Sequence, residues 1–487
     1  MVGVEMWERF SFYGMQAILA YYLYHQVTEG GLGMDRAQTT ALMGAYGATV
    51  YLCTVAGGWL ADRVLGAERT LLAGALLLTS GHGSLSAIGG PAGVAIGMVL
   101  IAIGSGSLKT AAITVLGHVF GDEEQGHRDA GFQLFYLGIN VGALFGPLLT
   151  GWLAEKHGYP AGFAAAAALM LLGLVNYLLL RTRYLNQLGE DRRNVITRPG
   201  NPATGRHAIL PVAAVLAIAV TLTLCVTTGA LDLADLATAL LITTLAAVVT
   251  LFAQMLTSPR VGAEERRRVV AFIPLFIASS AFWSILNQTY GVFAVYSDVR
   301  LDRHVGGWQM PAAWTQSFNP AYILLLSAPM ALLWQRLGNR LSSGTKMSLG
   351  VVVSGFGMLV LLPFAGGGPA STPVLALAGA VLVITLGELL VGPVGMSATA
   401  AHAPAAYRAR FSALYFLSMA VGTSLAGVLS RYYNPDDGRA ESRYFLACGV
   451  GAILVGVMAL ASVRRQASRQ TRTATGRAIV GSSSSGR

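Results

Sequence analysis

Residues 93–118 read GVAIGMVLIAIGSGSLKTAAITVLGH, 26 residues with a single charge, Lys109. A helix of about 20 mostly apolar residues crosses a bilayer, so this stretch is a complete span with an ammonium well inside it. The pattern repeats along the chain. Apolar runs between charge, glycine and proline punctuation predict spans at 5–28, 38–61, 69–89, 93–118, 129–154, 160–180, 207–228, 236–256, 268–296, 313–335, 345–365, 371–399, 409–430 and 441–463, fourteen in all. Of the 487 residues 54% are apolar and 11% charged, less than half the ~25% charge of a soluble domain. The reading is an all-α polytopic membrane protein with no separate soluble domain.

The formal charge of +10 carries no nucleic-acid signal, because the basic residues, 30 of the 33 of them arginine, sit mostly in short connections. With a cytoplasmic N-terminus, 24 of them fall inside, 7 outside, and Arg9 and Lys109 within spans. That asymmetry predicts a multi-pass cell-membrane protein with both termini cytoplasmic. The start shows no signal-peptide cleavage pattern, and the tail GSSSSGR (481–487) reads as a disordered end. Cys53, Cys225 and Cys448 are too far apart and too apolar in setting for a disulfide framework or a zinc site.

The connection 181–206 carries six arginines with Gly189, Pro199, Gly200 and Pro202, and reads as a cytoplasmic linker between two halves. The spans after it have Asp232 and Asp235 in the turn between them and no ionisable group at membrane depth, as expected of an inserted hairpin. The echo of GGWLADRVLGAER (57–69) in LLWQRLGNRLSSGTK (332–346) points to related halves, an arrangement in which substrate sites lie near the midplane. The expected units are a six-helix bundle at 1–180, the linker at 181–206, the hairpin at 207–260, a second six-helix bundle at 261–465 and a disordered cytoplasmic tail at 466–487.

Ionisable residues inside spans are costly and mark ion or substrate paths. Glu5, Glu8 and Arg9 share one face of the first span, spaced by three and four residues, and the face continues through Phe12, Tyr13 and Gln16. Lys109 is one of only three lysines. A desolvated ammonium can release its proton where a guanidinium cannot, which suits a switching charge. Glu388 lies in GELLVGPVG (387–395), where the glycines and Pro393 predict a broken or kinked helix and a carboxylate open to a cation or an amino group. GSGSLKT (104–110) lacks the glycine before its lysine and is no phosphate loop. With no HExxH, GxSxG or clustered His/Cys set, an enzyme is disfavoured and no metal site is expected.

These residues carry a resemblance. EMWERFSFYG (5–14) resembles the ExxERFxYYG signature of the proton-dependent oligopeptide transporter family of the major facilitator superfamily, and FYLGINVG (135–142) is similar to its FYxxINxG signature. GGWLADRVLG (57–66) resembles the facilitator motif, with Asp62 and Arg63. The fourth span around Lys109, Ser317 with Asn319 and Pro320, the stretch from Ala328 to Lys346, and Gly387 to Ser397 agree too. The resemblance implies a major facilitator fold of two six-helix bundles with a two-helix insertion. It also implies proton-driven import of di- and tripeptides by alternating access, without a cofactor, by a protein functional as a monomer in the lipid bilayer. Carried over, Glu5, Glu8, Arg9, Lys109 and Glu388 would couple protons. Glu388 would meet the peptide amino terminus, and Arg9 and Lys109 its carboxylate. Phe12, Tyr13, Tyr51, Asn140, Trp283, Asn287, Asn319 and Tyr415 would line the pocket, and Gln16, Asn287, Asp62, Arg63 and Pro393 would serve the gates.

The chain departs from the pattern at Gln16 and Asn287, neutral amides where the family often has an arginine and an acid that pair. The double replacement removes the ion pair and leaves room for a hydrogen bond, so coupling is expected to rest on Glu5, Glu8, Lys109 and Glu388. Phe12, Thr110, Ala111 and Tyr415 also differ and bear on side-chain preference. The alternative is a facilitator of another small zwitterionic or anionic solute, such as an amino acid, nitrate or a drug.

Overall fold

The computed structural model describes residues 2–119, 125–187, 189–203, 220, 221, 224, 228, 229, 232–337 and 341–484. The first half comprises α1 (Val2–Tyr24), α2 (Arg36–Leu60), α3 (Ala67–Ala87), α4 (Gly90–Val119), α5 (Gln125–His157) and α6 (Tyr159–Gln187). The short α7 (Glu190–Thr197) follows in the connection, and α8 (Leu233–Thr257) lies between the halves in sequence. The second half comprises α9 (Ala263–Leu286), α10 (Val292–Val299), α11 (Phe318–Leu337), α12 (Ser343–Leu359), α13 (Val374–His402), α14 (Arg408–Ser430) and α15 (Gly438–Ser484). Among the described residues, eleven spans are long and apolar enough to cross a membrane.

Within the first half, α1 packs on α5 and α6, α3 on α4 and α6, and α2 on α4; within the second, α9 packs on α14, and α12 on α13 and α15. The halves meet crosswise, α2 on α14 and α5 on α11. The second span of each half thus touches the fifth span of the other, the exchange that a pseudo-two-fold relation produces. Lipid supplies no hydrophobic drive between helices, so close packing of small residues has to. At Gly142 of the FYLGINVG stretch a Cβ would lie 2.4 Å from the Met6 carbonyl oxygen, and at Gly44 a Cβ would lie 2.4 Å from Cα of Gly427. The first contact seats α5 directly beneath Arg9; the second presses α2 and α14 together.

Ion pairs pin the ends of each half. Glu68 at the start of α3 takes Arg181 of α6 in a two-pronged pair. In the second half Arg300 and Glu441, both fully buried, pair at 3.1 Å. Arg300 also donates to the Phe364 carbonyl at 2.6 Å, and Glu441 accepts from the Gly366 amide at 2.8 Å. We call this end of the molecule, which holds the α1–α2 connection, the far face; the opposite end, where α1 begins and α7 lies, is the terminal face.

Several boundaries differ from the sequence reading. The span expected at 207–228 lies almost wholly outside the described residues. Its partner α8 packs on both α2 and α14, with Ala237 3.2 Å from the Cβ position of Gly427 and Thr238 accepting from Arg431 at 3.0 Å, so it braces the seam between the halves. The connection expected from 181 begins inside α6. The chain expected to be disordered from 466 continues α15 to Ser484, since nothing from 464 to 484 is proline and most of it is Ala, Arg, Gln or Thr. The seventh span is interrupted by a 3-10 turn at Asn287–Tyr290, and two-stranded pairings join Leu301–Asp302 to Thr372–Pro373 and His304–Val305 to Trp308–Gln309. By contrast α13 passes through Gly387 and Pro393 without a break, because packing around a membrane helix can absorb the lost proline bond.

Gly142→Leu should lower stability by about 1–3 kcal/mol through overpacking, seen as a lower unfolding temperature in detergent. Gly89→Ala, where an added Cβ meets nothing within 4 Å, should change it by no more than about 0.5 kcal/mol.

Candidate functional site: a central cavity between two charge clusters

The ExxER spacing of the first span places three charges on one helical face, and the structure buries all three. Glu5 is 1% exposed, Glu8 0% and Arg9 2%. Arg9 Nε lies 2.8 Å from Glu5 Oε1 and 2.9 Å from Glu8 Oε2, and Ser105 of α4 donates to the other Glu8 oxygen at 3.0 Å. Ser105 stands one turn before Lys109 on the same face of α4, so the lysine is presented to the triad and feels the charges of Arg9, Glu8 and Glu5. Two carboxylates thus face two cations. Among the described residues Lys109 makes no ion pair within 4 Å; its Nζ stands 5.3 Å over the ring of Tyr51, a cation–π contact.

Across the interface, Glu388 accepts from Asn319 Nδ2 at 2.7 Å, and the same amide donates to Thr385 at 3.0 Å. Asn319 opens α11 directly after a 3-10 turn at Ala312–Ser317, with Pro320 in the first turn where its missing N–H costs nothing. No basic side chain lies within 4 Å of Glu388 among the described residues. Its carboxylate faces a cavity of about 110 Å³ that Tyr13, Asn140, Tyr136, Tyr290, Gln316 and Asn319 also line. Tyr13 joins the two clusters, since it lies within electrostatic reach of Glu5, Glu8 and Arg9 on one side and of Glu388 on the other. Its ring stacks on Tyr290 at 6.3 Å.

The remaining expected residues fall around this centre. Tyr51 meets Trp283 at 6.5 Å across the halves. Tyr415 donates to the Gly392 carbonyl at 3.3 Å, and Phe12 stacks on Tyr46 at 6.4 Å. None of these four side chains is among those lining the cavity. Asn287 donates to its own helix at Trp283, 2.8 Å away, and Gln16 Oε1 is buried without a partner among the described residues. The hydrogen bond considered between these amides is therefore not made. Asp62 accepts from Asn201 of the linker at 3.1 Å, and the Arg63 carbonyl accepts from the Ala203 amide at 2.8 Å, so the facilitator motif is covered by the linker. Pro393 lies inside the unbroken α13.

Three polar lining residues escaped the sequence reading. Tyr136 sits in the FYLGINVG signature, where its place beside Asn140 was a usable signal. Tyr290 and Gln316 sit in 3-10 turns that periodicity does not mark. The cavity is shut toward the far face: Gln316 donates to the Ala17 carbonyl at 3.4 Å, Ser317 to Leu144 at 2.7 Å and Trp314 to Leu148 at 2.9 Å. Toward the terminal face Tyr136 lines it and is 46% exposed.

Two crosswise six-helix halves around one central cavity define a membrane transporter of the major facilitator class. The chain belongs to the POT family, whose model matches residues 68–444. It is 37% identical to the uncharacterised transporter YclF of Bacillus subtilis over 88% of this chain and 86% of that protein. It is 35% identical to the di-/tripeptide transporter of Lactococcus lactis subsp. cremoris over 85% of this chain and 84% of that one. A crystal structure of a peptide transporter POT in complex with alafosfalin superposes with a TM-score of 0.86 at 37% identity, covering 95% of this chain and 93% of that one.

Arg9→Met should destabilise the protein by about 3–5 kcal/mol, because it strands two buried carboxylates. Glu5→Gln, which leaves Arg9 with Glu8, should lower the thermal unfolding temperature by less; an equal or larger drop would contradict the charge balance described.

Proposed function

We propose that the protein is a proton-coupled symporter that imports di- and tripeptides by alternating access. The observation that carries this reading is a pair of opposite charges that, among the described residues, lack a direct ion-pair partner within 4 Å: Glu388 in the second half and Lys109 in the first. A zwitterion completes both. Its ammonium replaces the missing cation at Glu388, with Asn319 fixing the carboxylate, and its carboxylate draws on Lys109 and Arg9. Aromatic walls from Tyr13, Tyr136 and Tyr290 tolerate varied side chains between the fixed ends. The Lactococcus relative, a di-/tripeptide transporter, and the peptide transporter solved with alafosfalin support the same substrate class.

Proton coupling follows from shared charge. When the peptide carboxylate approaches Lys109 and Arg9, it competes with Glu5 and Glu8 for those cations, and a carboxylate deprived of its cation in an apolar site takes up a proton. Closure on the far face and the exposure of Tyr136 support a state that releases toward the terminal face. The arginine asymmetry assigns that face to the cytoplasm, in a cell membrane. A single chain contains both clusters and the whole cavity, which supports a monomer as the working unit, with no cofactor beyond the proton.

In liposomes holding the purified protein, an inward proton gradient should drive labelled dialanine above its equilibrium level. Lys109→Ala and Glu5→Gln should each cut that accumulation at least tenfold while peptide exchange without a gradient survives. Asn287→Ala should retain driven uptake; its complete loss would show that the seventh span carries the proton. Failure of the wild type to accumulate dialanine would direct the reading to another solute.

A further inference from the structure

The far face holds a titratable cluster that the transport cycle outlined above does not use. His25, directly after α1, places Nε2 2.9 Å from Oδ2 of Asp298 on α10 and Nδ1 2.8 Å from the Tyr159 hydroxyl of α6. Tyr24 donates to the same Asp298 oxygen at 2.6 Å, and Arg303 donates to the other at 3.3 Å. Tyr24, His25 and Tyr159 belong to the first half, Asp298 and Arg303 to the second. Asp298 is thus a pin through the seam, and the far face cannot open without breaking its bonds to Tyr24 and His25. Vestibules of about 850 and 250 Å³ flank the pin, and His25 and Asp298 line both, so solvent reaches the imidazole from either side.

Every charged or titratable group around the imidazole bears on what a proton does there. Tyr21 and Tyr24 face it from α1, Tyr159 from α6 and Asp298 from α10. Glu29 of the turn after α1 stands 3.9 Å from Nδ1. Arg303 reaches Asp298 from the strand region, Arg36 of α2 lies over the Tyr24 ring at 5.9 Å, and Glu155 of α5 lines the smaller vestibule. With a neutral imidazole, Asp298 is balanced by Arg303, and Glu29 faces no cation within 4 Å among the described residues. With a charged imidazole, Asp298 and Glu29 are matched by Arg303 and His25.

We propose that His25 is a proton-binding site of the far-face gate, where an added proton turns the hydrogen bond to Asp298 into an ion pair and holds that face shut. In the neutral form Nε2–H donates to Asp298 while Nδ1 accepts from Tyr159. The incoming proton sits on Nδ1, which then donates toward Tyr159 and Glu29, and no existing bond is lost. Imidazoles as a class change charge between about pH 5 and 8, so acid on the far side favours the closed gate. The proposal rests on the alternating-access reading and adds a second proton site to it, remote from the triad.

The test is the distance across the far face, measured by pulsed electron spin resonance between nitroxide labels. The labels go on cysteines placed at Val27 and Leu375, which are 73% and 82% exposed and lie on opposite halves. The three native cysteines are replaced by alanine and the protein is held in lipid nanodiscs without peptide. Between pH 7.5 and 5.5 the ratio of closed to open populations should rise roughly threefold to tenfold. In His25→Gln, which keeps a neutral donor toward Asp298, and in Asp298→Asn, the rise should fall to less than half of that. An undiminished rise in both variants overturns the proposal. No peptide enters this measurement, so a protein that failed to accumulate dialanine would sink the substrate reading and leave this result standing.

Discussion

Everything in this molecule is arranged around one guanidinium in a nearly apolar bundle. Arg9 is 2% exposed, and burying a lone charge at that depth is prohibitive. It is tolerable because Glu5 and Glu8 lie within 3 Å on the same helix, with Lys109 opposite. The four charges sum to zero, so the site is stable when empty and easily unbalanced by a fifth charge. In the proposed cycle a peptide carboxylate supplies that charge, a proton restores neutrality, and coupling follows from electroneutrality in a low dielectric.

The fold serves this constraint by bringing small residues wherever charges must come close. Gly142 lets α5 lie on α1 under Arg9, and Gly106, where a Cβ would stand 2.4 Å from the Cys53 carbonyl carbon, lets α4 lie on α2 so that Lys109 reaches Tyr51. The crosswise contact of α2 with α14 and of α5 with α11 brings Glu388 of the second half to the cavity that Tyr13 of α1 also lines. Under the proposed function, charges at two ends with aromatic side chains between them keep backbone recognition strict and side-chain recognition loose.

Much of this was legible in the residues. Period and punctuation marked all eleven of the spans counted among the described residues, because apolar runs of bilayer length have few other uses. The five intramembrane charges stood out for the same reason, and the structure gathers them into two clusters. What stayed hidden depended on local backbone. The 3-10 turns that aim Tyr290 and Gln316 into the cavity interrupt helices whose hydrophobic pattern is unbroken, and nothing in the residues of GELLVGPVG reveals that the helix runs through them without a break. The exchange of Gln16 and Asn287 for an ion pair was visible, but only coordinates show that each amide turns elsewhere. His25 and Asp298, 273 residues apart, meet only because the halves pack crosswise.

The central claim is that peptide and proton enter together because one displaces the other's counter-charge. It is tested most directly with a pH-sensitive dye trapped inside liposomes containing the protein, with dialanine added outside at equal pH. The account predicts internal acidification that saturates with peptide concentration and vanishes in Lys109→Ala. Entry of labelled dialanine at an undiminished rate with no change in internal pH would contradict it.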